Sequence, residues 1–144
     1  MSLLFAPATP SASRRQRMVG PVAGISTLAL ATLALHVRDP HASGSWGFCP
    51  SALMGFWCPG CGGLRAVNDL TNFRFADAAS SNLAFIVLLP FIVFLLGRWV
   101  LDRWRGVSRP PTMLMTGAVG GVVVAGLAVF AVLRNLPAFA WLAP

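Results

Sequence analysis

Three stretches of this chain carry apolar residues almost without interruption by charge. The first runs from Val19 to Val37, with His36 near its end as its one titratable residue. The second runs from about Ala78 to Gly97 and continues to Leu101; the third runs from Met113 to Leu133. Each is long enough to cross a hydrocarbon layer as a helix, which takes about 20 residues. Pro90 lies inside the second stretch, where a membrane helix accommodates it as a kink because neighbouring groups re-satisfy the released carbonyl. Between the first two stretches the pattern changes. After Cys61, Leu64, Val67, Leu70 and Phe73 recur at helical spacing, with Arg65, Asn68, Asp69 and Asn72 between them. This predicts a short amphipathic helix, too polar to span, lying at an interface or against the other helices. The expectation is an all-α, polytopic membrane protein: three transmembrane helices over about 19–37, 78–101 and 113–133, and an amphipathic helix in the segment 38–77.

Composition agrees with that pattern. Of 144 residues, 56% are hydrophobic and 10% charged, against about 25% charged in soluble domains. A globule with so few charges cannot coat itself against water. The net charge of +7 comes from arginine alone among the basic residues. The arginines gather at the ends of apolar runs and form no dense stripe interleaved with stacking aromatics, which argues against a nucleic-acid partner. Residues 1–18, rich in Ala, Pro, Ser, Thr and Arg, read as a disordered basic tail. Ser13-Arg14-Arg15-Gln16-Arg17-Met18 faintly resembles a twin-arginine export signal. The apolar run behind it exceeds the roughly 7–15 residue core of a cleaved signal, and Arg38-Asp39-Pro40 interrupts the cleavage region, so the run is kept as a span.

Arg14, Arg15 and Arg17 precede the first span, and Arg98, Arg103, Arg105 and Arg109 lie between the second and third. The positive-inside rule then puts the amino terminus in the cytoplasm and the cysteine segment and carboxyl terminus outside a cell (inner) membrane. Arg134 would sit at the outer boundary with its head reaching the headgroups, and Trp141 reads as an interfacial anchor. Gly20 with Gly24, and Gly117 with Gly121, have the four-residue spacing that lets helices approach closely. They serve either packing among this chain's own helices, the favoured reading, or contact with a membrane protein partner or a second copy.

Candidate chemistry is confined to the cysteines. Cys58-Pro59-Gly60-Cys61-Gly62 precedes the amphipathic helix, and Cys49 is the third thiol. Pro59 suits a first helical position, while Gly60 and Gly62 allow a tight turn. Four readings stay open. One is a structural disulfide on an oxidising outer face. The second is a redox site at Cys58 and Cys61, since thiols near helix amino termini are the more reactive ones; a thioredoxin fold is excluded by the absence of a βαβ pattern. In the third, Cys49, Cys58 and Cys61 with His41 or His36 hold a zinc ion, the cysteine spacing being that of half a zinc ribbon. The fourth is thiols packed as small hydrophobes. Gly62 stands where covalent haem attachment needs histidine. Arg65 can stabilise a thiolate or form an exposed pair with Asp69. Asn82, placed inside the second span, is expected to hydrogen-bond another helix. Paired carboxylates and a Ser-His-Asp set have no candidates.

The run Cys58-Pro59-Gly60-Cys61-Gly62-Gly63-Leu64-Arg65-Ala66, with Cys49-Pro50 before it and Asp77-Ala78-Ala79 and Asn82 after it, resembles a family of small bacterial membrane proteins, domain of unknown function 2752. The resemblance covers roughly Cys49 to Leu89. Leu64 stands where threonine is usual, and Leu83 follows Asn82 where proline is usual. It implies a multi-span membrane protein with a functional centre at the motif and supplies no activity. Taken together, the favoured function is a non-enzymatic accessory or scaffold subunit, with the bilayer and a membrane protein partner or second copy as contacts. The alternative is a membrane thiol–disulfide or metal-binding protein using Cys58 and Cys61.

Overall fold

A computed structural model of the chain describes residues 13–42, 50–107 and 117–143. Among these, every regular element is helical: α1 (Arg14–Val37), α2 (Pro50–Leu53), α3 (Gly63–Thr71), α4 (Phe75–Ser81), α5 (Leu83–Arg105) and α6 (Gly117–Leu133), followed by a 3₁₀ segment, Pro137–Leu142. Residues 1–12, Cys49 and the expected start of the third span, 113–116, lie outside the described residues.

Helix α1 begins earlier than its apolar pattern. The Ser13 side chain accepts from the Gln16 backbone N–H, and the Gln16 side chain accepts from the Ser13 N–H. This reciprocal capping satisfies two amides that a helix start leaves unpaired. Arg14, Arg15 and Arg17 are therefore helical, which corrects the expected tail over 1–18 for its last five residues. The helix stops at Arg38, before Asp39-Pro40, where the proline ring disfavours helical geometry in the residue ahead of it. At 24 residues α1 is about 36 Å long.

The second apolar stretch is not one helix. Asn82, with φ −159° and ψ 93°, closes α4 and opens α5. Its Oδ1 accepts from Phe85 N–H at 2.9 Å, an N-cap worth about 1 kcal/mol. Ala78 to Ser81 thus belong to α4, and the apolar helix runs from Leu83 to Arg105, through Pro90 without a break. It ends in a left-handed Gly106, with Val107 N–H donating to Asp102 O at 3.0 Å.

Helices α1 and α5 are each long and apolar enough to cross a membrane. Neither is the core helix of a globule. Helix α5 buries no residue and α1 buries only Pro21 and Leu35, while Leu30, Val87 and Ile92 are exposed. Soluble monomers rarely expose apolar patches beyond a few hundred Å², so these flanks are suited to lipid. Helix α6 has 17 residues, about 25 Å, and falls short of the length of the other two. Helix α1 packs on α5 and α3, and α3 packs on α4. In the α1–α5 contact, Gly20 and Gly24 lie against the Trp99 ring, 3.7 to 3.8 Å from where a Cβ would stand. Gly117 and Gly121 of α6 meet nothing within 4 Å. Helix α6 shares no comparably broad face with another described helix; it joins the rest through the residues at its carboxyl end.

Candidate functional site

The cysteine motif is a pair of consecutive turns. Cys61 N–H donates to Cys58 O and Gly63 N–H to Gly60 O, both at 3.0 Å. Pro59 occupies the second position of the first turn, where its fixed φ is favoured, and so is not the first residue of the helix. That helix begins at Gly63, after Gly62 at φ +80°, a left-handed conformation that glycine adopts without steric cost. Gly60 is a different case, since a Cβ there would meet Cys58 Sγ at an ordinary 3.9 Å. The turns bring the two sulfurs to 3.1 Å, thiol hydrogen-bonded to thiol. Cys61 is 5% exposed, Cys58 is only half-buried, and Ser51 Oγ from α2 lies 3.6 Å from Cys61 Sγ.

Two apolar helices hold this turn from behind. Asn82 Nδ2, at the start of α5, donates to Pro59 O at 2.8 Å and Cys61 O at 3.0 Å. Arg134 Nη1, just past α6, donates to Cys58 O at 2.8 Å and Cys61 O at 3.2 Å. Both side chains are 1% exposed, and the Arg134 guanidinium also lies 4.9 Å over the Phe130 ring. Next to it, the Asn135 side chain accepts from Trp57 N–H at 2.8 Å and donates to Trp57 O at 2.9 Å. Arg134 therefore points inward rather than toward headgroups: the turn's carbonyls, which lack helical partners, offer a guanidinium closer acceptors. Asn82 likewise serves a helix cap and a loop rather than another helix. Hydrogen bonds from a charged donor contribute about 1.5–3 kcal/mol each, and an acceptor left buried without a partner costs a similar amount.

A second polar cluster joins α1, α3 and α4. Asp69, 0% exposed, accepts from Arg74 Nη2, from Ser81 Oγ at 2.9 Å and from His41 Nε2 at 3.0 Å. Asn68 Nδ2 donates to Leu35 O at 2.7 Å, and Asn68 Oδ1 accepts from Arg74. The Thr71 hydroxyl donates to Asn68 O, so its oxygen accepts from His36 Nδ1 at 3.1 Å, fixing that nitrogen as a donor. Helix α3 is amphipathic as expected, but its polar residues face inward: Ala66, Asn68 and Asp69 are buried while Leu64 is exposed. A buried polar face is stable where every group has a partner, and here the partners come from α1 and α4. Arg65 forms no pair with Asp69 among the described residues; Arg74, on the loop that turns back from α3, occupies that role. His41 is engaged by Asp69 and joins no metal-ligand group with Cys58 and Cys61 among the described residues. No group of three His, Cys, Asp or Glu side chains stands ready for a metal ion among the described residues.

The sequence pattern missed Asn68, Arg74, Ser81 and Asn135 as partners. Only Asn135 carried a signal, an Arg-Asn pair directly after an uncharged run. No curated protein and no solved structure matches the chain. Residues 49–96, which hold the cysteine turn, α3, α4, Asn82 and the first half of α5, match the model of a family described as Protein of unknown function (DUF2752).

Proposed function

We propose that the chain is a three-span membrane protein acting as a non-enzymatic accessory or scaffold subunit, in which the Cys58–Cys61 turn fastens the helix ends that form a partner-binding outer face. In this reading the apolar run 113–133, which contains α6, is the third span. The amino terminus is cytoplasmic, and the cysteine segment and carboxyl terminus are extracytoplasmic in the cell (inner) membrane. One observation carries the anchoring role: Asn82 and Arg134, at the ends of two different apolar helices, both donate to the Cys61 carbonyl. A motif whose carbonyls are occupied this way works as a fastener between helices. The arginines at the amino end of α1 and at the carboxyl end of α5, which lie together where Arg17 Nε donates to Arg103 O at 3.3 Å, support the orientation.

The test is thermal unfolding of the full chain in detergent. Asn82→Ala and Arg134→Met each leave buried carbonyls short of a donor, a loss of about 1–3 kcal/mol. That lowers the melting temperature by several degrees for a chain of this size, roughly 2–8 °C per kcal/mol. Unchanged melting for both variants would show that the turn fastens nothing.

A further inference from the structure

The anchoring role uses the backbone of the turn and leaves its sulfurs unexplained. Cys58 and Cys61 lie 3.1 Å apart with their carbonyls fixed by Asn82 and Arg134. Disulfide closure needs a further approach of about 1 Å to a bond near 2.05 Å. The two thiols are unequal. Cys58 is half-buried and reachable, whereas Cys61 is 5% exposed, with Ser51 Oγ against its sulfur. Access decides which thiol of a pair meets an incoming disulfide.

We propose that Cys58 and Cys61 form an asymmetric thiol–disulfide exchange site, with Cys58 attacking a disulfide presented from the aqueous side and Cys61 resolving the intermediate. In the first step the Cys58 thiolate bonds to one sulfur of the substrate disulfide and expels the other as a thiolate, which takes up a proton. In the second, the Cys61 thiolate attacks Cys58 Sγ in the mixed disulfide and expels the remaining substrate sulfur, which is likewise protonated. The chain's dithiol loses two electrons and two protons, and the substrate gains both as two thiols. This chemistry goes beyond anchoring and can fail while the anchoring stands.

The experiment treats the reduced, full-length protein in detergent with glutathione disulfide and assigns adducts by site-resolved mass spectrometry, scoring Cys49 separately. The unaltered chain is expected to end as a Cys58–Cys61 disulfide with two glutathione thiols released. Cys61→Ser accumulates a stable glutathione adduct on Cys58, and Cys58→Ser reacts at Cys61 at least about tenfold more slowly. Brief alkylation of the unaltered dithiol provides the same comparison should a variant misfold: Cys58 is modified first. Equal rates at the two cysteines, a final product retaining glutathione on the unaltered chain, or no reaction at Cys58 would each overturn the proposal.

Discussion

Asp69 has no contact with water and still carries a full set of partners: His41, Arg74 and Ser81. A buried carboxylate is stable only in such company, and removing one donor costs more than a surface pair would suggest. Arg74→Ala is therefore expected to destabilise the chain by about 1–3 kcal/mol. Arg65→Ala, which touches none of this cluster, stays within about 0.5 kcal/mol. Parallel thermal or denaturant unfolding of the two variants in detergent checks the pair, and equal losses would refute the assignment. Spacing on a helical wheel offered Arg65, four residues before Asp69, as the partner in an exposed pair. What spacing could not reveal is that the chain reverses at Phe73, whose φ is +59°. This reversal carries Arg74 back over the same carboxylate, which leaves Arg65 outside the cluster.

Helix existence was legible where apolar runs were long, and helix ends were not. The runs from Val19 and from Ala78 announced two helices, but Ser13 and Asn82 set where these begin, through hydrogen bonds of single side chains. Asn82 shows why an apolar count misplaces a boundary: the uncharged run from Ala78 through Leu83 contains Ser80, Ser81 and Asn82, and the last of these closes one helix and caps the next. The glycine pairs also divide by element. Gly24 faces the Trp99 ring at ordinary contact distance for a Cβ, so Gly24→Ala is tolerated. Gly24→Leu overpacks the α1–α5 contact by about 1–3 kcal/mol. Gly121 meets nothing within 4 Å, so Gly121→Leu leaves the monomer's unfolding unchanged. Unfolding curves of the three variants test this; a Gly121→Leu loss matching that of Gly24→Leu would mean that α6 packs on its neighbours through that glycine.

At the scale of the whole chain, the proposed orientation predicts that a reporter fused after Pro144 is extracytoplasmic. A membrane-impermeant thiol reagent should likewise label Cys58 in intact cells. A cytoplasmic reporter would reverse the inside–outside assignment. The connection of α6 to the rest has a consequence for biosynthesis. Chains emerge and insert from the amino terminus, so the cysteine turn is made long before Arg134 and Asn135, its donors from α6. Until residue 134 leaves the ribosome, the carbonyls of Cys58 and Cys61 lack that guanidinium and Trp57 lacks the Asn135 amide. Helix α6, synthesised later, thus completes a turn laid down about half a chain earlier, and a nascent chain stalled before Arg134 carries that turn without its Arg134 and Asn135 donors.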